Sequence, residues 1–230
     1  MDRNSLDLLT RIESHAREQC RNHDRAHDAS HLMRVEANAR KLLERECATA
    51  GDIDEFVVLA ACWLHDVVQY PKGSAGPGES ARESARRARE YLTSLGVGES
   101  RSNHVAAAVR THSFSGGEKP ESMEAAIVQD ADRLDALGAI GIARLWIVAA
   151  ELGSDFYHPD DPMAENRPLE DARYALDHFA SKLLKLPDLM NHPFGTRSRQ
   201  GPRRLPDRVP QPASQRDLVQ GAIARQIRAP

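Results

Sequence analysis

Phe56 to Leu64 is an unbroken apolar run that stops abruptly at His65-Asp66. A helix that is apolar around its whole circumference must be covered on every side, so this segment is expected to run through the middle of a bundle. It is far too short to cross a hydrocarbon layer of about 30 Å. Elsewhere apolar residues recur at helical spacing and no stretch alternates like a strand. The predicted fold class is all-α, a single-domain helical bundle over residues 1–195.

Helices are expected around Leu6–Ala16 and over 29–44, the second with Leu32, Val35, Ala39, Leu42 and Leu43 as its buried stripe. The apolar helix follows, capped by Asp52 or Asp54. Further helices are expected at 79–95, 100–112 and 121–134. Another should start in the small-residue run Gly138 to Ala143, which permits close backbone approach, and reach about Leu152. A last strong helix is expected over 171–186, ended by Pro187. Pro71 and Gly73 to Gly78 break the pattern directly after the His65-Asp66 doublet, where a loop is placed to cover a site.

Beyond about Gly195 the chain turns rich in Arg and Pro with few apolar anchors. Residues 196–230 are therefore expected to be a disordered tail or a segment read in a shifted frame; the functional alternative is a nucleic-acid-binding arm. The formal net charge of -3 gives no global pull toward nucleic acid or anionic lipid. Cys20, Cys47 and Cys62 are odd in number without paired ligand spacing, which points to a reducing compartment. The opening residues carry no secretory signal, so a cytoplasmic location is the expectation.

An Asp at the end of a wholly apolar helix needs a charged partner, because burying an unpaired carboxylate costs several kcal/mol. A divalent cation would supply one. His31, His65, Asp66 and Asp130, all on predicted helices, form a set of nitrogen and oxygen donors that suits Mn, Fe, Co, Ni or Zn better than Ca. His27 and His31 share the spacing of the HExxH protease motif, but Asp28 stands where that motif needs Glu; His27 is read as a neighbour and Asp28 as a group that orients His31. His104 and His112 lie about 12 Å apart along a helix and roughly 80° apart around it, so both cannot easily serve one ion. His112 is read as facing substrate and His104 as structural or as a support behind a ligand. Arg34 and Arg133 are read as cations that fix the ligand helices by ion pairing rather than touch substrate, and Asp132 and Asp135 are left open between those two roles.

The set His31, His65-Asp66 and Asp130 resembles the HD-domain superfamily of metal-dependent phosphohydrolases. The stretches Asp24 to Val35 and Val128 to Arg144, with His112-Ser113-Phe114-Ser115 and Leu176 to Pro187, resemble a bacterial branch that includes deoxynucleoside triphosphate pyrophosphohydrolases. The resemblance implies one divalent ion, Mn first and Fe, Co, Ni, Zn or Mg after it, held by His31, His65, Asp66 and Asp130. It implies a small phosphorylated substrate, a nucleotide, hydrolysed by metal-activated water. Asp66 would hold the attacking water, His112 would serve the leaving oxygen, and Lys72 and Lys185 would bind the remaining phosphates. The competing readings are a non-catalytic nucleotide sensor and a di-iron oxygenase. Neither a membrane nor specific nucleic acid is an expected partner.

Overall fold

The computed structural model describes residues 1–46, 53–70, 76 and 78–192. Lys72, Cys47, most of the loop after the doublet and the Arg/Pro-rich tail lie outside the described residues. The chain divides into two units, Met1–Leu152 and Gly153–Pro230.

The first unit is all helical: α1 (Arg3–Gln19), α2 (Ala29–Glu46), α3 (Glu55–Leu64), α4 (Glu79–Ser94), α5 (Glu99–Thr111), α6 (Met123–Asp135) and α7 (Gly138–Leu152). Every residue from Phe56 to Leu64 is buried, and α3 packs against α1, α2, α4, α5 and α6. The apolar run is thus the axle of the bundle, as its circumference requires. Asp54, one of the two expected caps, accepts from the Phe56 and Val57 amides at 3.0 and 3.4 Å. Arg101 on α5 grips the same carboxylate through two nitrogens at 2.7 and 2.6 Å, which locks the α3 start to a neighbour. Asp2 and Ser122 cap α1 and α6 in the same manner.

Helix α7 folds back at a tight turn. Gly138 has φ +70°, and a Cβ on Gly141 would lie 2.1 Å from the Ala136 carbonyl oxygen, so no side chain fits between the end of α6 and the first turn of α7.

The second unit corrects one expectation. Instead of a strong helix over 171–186 there are turns, a short π-helical turn at Phe179–Leu183 and a 3-10 turn at Leu186–Leu189. The reason is competition for backbone groups. The Ala175 and Leu176 amides donate to the carbonyls of Asp155 and Phe156, and Asp155 donates to Arg173, so they cannot close helical rings. Asp177, in turn, is held by both terminal nitrogens of Arg167 at 2.6 and 2.7 Å and by the Glu170 amide. Among the described residues there is no strand, only the isolated bridge between Asp155 and Tyr174, and no helix is long and apolar enough to cross a membrane.

Candidate metal centre

Four helix ends meet in the first unit. His31 lies in the first turn of α2, His65 caps the C-terminus of α3, His112 caps the C-terminus of α5, and Asp132 and Asp135 lie in the last turn of α6. His31 Nε2 is 3.1 Å from His65 Nε2. Asp66 Oδ2 lies 3.5 and 3.7 Å from those two nitrogens, and Asp132 Oδ1 lies 3.5 and 3.9 Å from them. The other Asp66 oxygen, Oδ1, faces His112 Nε2 at 3.5 Å. Two overlapping triads, His31/His65/Asp132 and His65/Asp66/His112, each present one ligand atom per residue with all atoms within 4.8 Å of one another.

The second nitrogen of every ring is already committed. His65 Nδ1 donates to the Cys62 carbonyl at 2.8 Å and His112 Nδ1 donates to the Val109 carbonyl at 2.6 Å, in each case three residues back along the same helix. His31 Nδ1 lies 2.8 Å from Asp135 Oδ2. Carbonyls only accept. Asp135 stays ionised because burial, which raises its pKa, is outweighed by His31, Arg34 and Arg144. All three neutral rings therefore carry hydrogen on Nδ1 and turn a bare Nε2 inward. Two lone pairs facing each other at 3.1 Å in a fully buried site repel unless a cation lies between them. A proton can fill that role: burial pushes the His31 pKa down, but Asp135 and Asp66 more than reverse it and the net shift is upward. His65 is driven down to about 4, first by burial. Asp66 stays well below the usual carboxylate range despite burial, because His65, His112 and His31 surround it. The donor set, two to three imidazole nitrogens and two carboxylates, fits a divalent transition ion.

His31, His65, Asp66 and His112 thus come together as expected, but Asp130 does not join them. Its buried carboxylate lies 3.6 Å from Arg133 Nη1 and belongs to neither triad, whereas Asp132 does. Residues two apart on a helix point about 200° away from each other, so only one of the pair can face His31. Asp28 also has a different task from the one expected: it accepts from the Ser30 and His31 amides at 2.9 and 3.2 Å and starts α2, while Asp135 orients the His31 ring. His27 is held by Asp24 at 2.9 Å and lies outside both triads. Its ring meets that of His31 edge-on with 6.1 Å between centroids. His104 bonds Ser122 Oγ at 3.0 Å and approaches Glu124 at 3.2 Å, a structural position. Arg34 pairs with Asp135 at 2.6 Å. Lys185 belongs to the second unit, at the start of its 3-10 turn.

Known proteins share this fold. The HD-domain family model matches residues 28–137, the span from the start of α2 to the α6–α7 turn. YpgQ of Bacillus subtilis is 33% identical over 169 residues, 72% of each chain. Its crystal structure in complex with ADP superimposes with a TM-score of 0.62 at 25% identity, covering 97% of this chain and 95% of that one. A Lactobacillus plantarum protein of known structure is 31% identical with a TM-score of 0.64, covering 83% of this chain and 86% of that one. An HD-superfamily hydrolase of Bacillus thuringiensis is 31% identical with a TM-score of 0.57, covering 82% and 85%. With histidines and carboxylates converging from α2, α3, α5 and α6 and relatives matching over most of its length, this chain belongs to the HD-domain superfamily of hydrolases.

Proposed function

We propose that the chain is a metal-dependent phosphohydrolase that acts on a nucleotide, with pyrophosphate release from deoxynucleoside triphosphates as the leading form of the reaction. The observation that carries the reading is the pair of bare Nε2 atoms 3.1 Å apart, flanked by two ionised carboxylates. Support for a nucleotide comes from the ADP bound in the YpgQ crystal structure. His31, His65, Asp66 and Asp132 would hold one divalent ion, Mn first, with Asp132 taking the place anticipated for Asp130. When bound, such an ion lowers the pKa of water and neutralises charge on a phosphate oxygen.

The chain's own residues supply the rest. Among the described residues Asp66 is the only carboxylate with one oxygen toward His31 and His65 and the other toward His112, so it can align an attacking water between them. His112 is buried, which lowers its pKa, but Asp66 pulls it upward more strongly and the net shift is upward. That shift favours a proton on Nε2, from where it can pass to the leaving oxygen. Burial of His31, His65, Asp66 and His112 keeps bulk water from screening these charges. Lys72 and Lys185 are our candidates for the outer phosphates.

The test is a nucleotide panel assayed with Mn, Co and Mg on the full chain, scoring phosphate against pyrophosphate, beside a His65→Ala control. Turnover in the native chain and none in the control is expected. Equal turnover in both rejects the catalytic reading; tight nucleotide binding without turnover under every metal selects the sensor instead.

A further inference from the structure

The carboxylate beneath His31 is unusually well held. Asp135 is 4% exposed and takes hydrogen bonds from three side chains: His31 Nδ1 at 2.8 Å, Arg34 through Nε at 2.6 Å and Nη2 at 3.0 Å, and Arg144 Nη1 at 2.8 Å. These come from α2 twice and from α7 once. Arg144 also donates through Nε to the Ala26 carbonyl at 2.7 Å, on the segment leading into α2. Asp132 and Asp135, three apart on one face of α6, bracket the His31 ring, one at Nε2 and the other at Nδ1. Helix α7 can bring Arg144 to this place only because Gly141 lets it press against the Ala136 carbonyl. The small-residue run from Gly138 to Ala143 thereby acquires a purpose at the metal centre.

We propose that Asp135, clamped by Arg34 and Arg144, is a positioning residue that locks His31 in the Nδ1–H tautomer and so keeps its Nε2 free as a ligand. The inference rests on the metal-centre reading above, but the tautomer itself is measurable without any metal. Three arginine nitrogens share the Asp135 carboxylate with His31: Arg34 Nη2 and Arg144 Nη1 take Oδ2, the oxygen that also meets His31 Nδ1, and Arg34 Nε takes Oδ1. In an Asp135→Asn chain the amide oxygen serves most donors at the Oδ2 place and still accepts from Nδ1–H. In an Asp135→Leu chain no acceptor remains and only the Arg34 and Arg144 cations lie behind the ring, so the proton moves to Nε2 and the lone pair meant for the metal disappears. Were Asp135 only filling space, its loss would produce no such exchange.

The experiment uses the full chain with 15N-labelled histidine, metal-free and at a pH above the titration of His31, with that ring assigned by its loss in a His31→Gln chain. The native protein should show His31 protonated on Nδ1, and adding Zn should perturb its Nε2. Asp135→Leu should show the proton on Nε2 and a Zn dissociation constant weakened by about 10–100-fold, and Asp135→Asn should retain Nδ1–H. A native His31 with its proton on Nε2 overturns the inference, and so does an Asp135→Leu chain that retains Nδ1–H, whatever its Zn affinity. If Asp135→Leu does not fold, the native spectrum alone decides. Failure of the native chain to bind Zn at all, with the tautomer as stated, counts against the metal-centre reading and leaves the Asp135 assignment standing.

Discussion

The two sides of the metal centre hold their histidines by different means. On the α3 and α5 side, His65 and His112 each fold back onto a carbonyl of their own helix, a local contact between residues three apart. On the α2 and α6 side, His31 is held by a carboxylate 104 positions away, itself fixed by two arginines from two helices. A neutral carbonyl orients a ring without raising its basicity much, whereas an ionised carboxylate does both. The two rings that nearly touch shift in opposite directions: His65 is pushed down to about 4, chiefly by burial, while His31 moves up in spite of burial, helped first by Asp135. His112, held by a carbonyl like His65, moves up because Asp66 faces its Nε2, so the carboxylate that bonds each ring, behind it or in front, sets the direction.

The largest effect should come from the carbonyl side. His112→Gln removes the proton donor and is expected to lower kcat by about 10²–10⁴-fold with metal affinity unchanged. If metal affinity falls as well, His112 is a ligand and the triad with His65 and Asp66 holds the ion instead. On the charged side, Asp132→Asn should weaken metal binding beyond the roughly 100-fold ceiling for an orienting partner. Asp130→Asn should leave the metal in place and lower only the melting temperature, through its contact with Arg133. Calorimetric titration of both variants with Mn checks the pair; the reverse ranking would restore Asp130 as ligand.

The contrast in proton affinity also sets the pH dependence of metal uptake. With His31 raised above its ordinary value and His65 depressed to about 4, His31 is the one of the two proposed ligand histidines that carries a proton to be displaced in mildly acidic solution. Metal affinity should therefore be pH-independent above the His31 pKa and fall by about tenfold per pH unit below it, one proton exchanged for one ion. Cobalt titrations followed by visible absorbance between pH 8 and 5 measure the slope. A hundredfold loss per unit would mean that two ligand histidines titrate together and would erase the distinction between them.

Much of this arrangement was legible in the chain. The all-round apolar run had to be central, and an acid at its end had to be paired, so α3 and the His65-Asp66 doublet followed from solvation alone. His112, read from its position at a helix end as facing substrate, lies beside His65 and Asp66. Asp130 rather than Asp132 was named beside the histidines because α6 is buried all round from Glu124 to Ala131, which removes the amphipathic stripe that would have shown which of two neighbouring acids faces inward. Asp135 was left ambiguous because its partners lie on α2 and α7, and no local spacing connects residues 101 or 104 positions apart. The helix expected at 171–186 failed for a related reason: its amides bond to a distant segment, and periodicity does not report a non-local competitor.

The smallest predicted effect tests whether α7 belongs to the charged side. A Cβ on Gly141 would meet the Ala136 carbonyl oxygen at 2.1 Å and its carbon at 2.2 Å, and backbone cannot swing away as a side chain can. Gly141→Ala must therefore lift the start of α7 and loosen the Arg144 bonds to Asp135 and Ala26, at a cost of about 1–3 kcal/mol for overpacking. The carbonyl-held rings have no link to α7, so His65 and His112 should keep their ring signals while His31 changes. Gly138 provides the control. It needs only a positive φ, with no atom within 4 Å of its Cβ position, and Gly138→Asn should be tolerated because Asn enters that region more readily than other side chains. A few-fold loss of metal affinity in Gly141→Ala and none in Gly138→Asn would show that close approach, rather than turn geometry, is what the small-residue run contributes to the site; equal effects would assign the run to the turn.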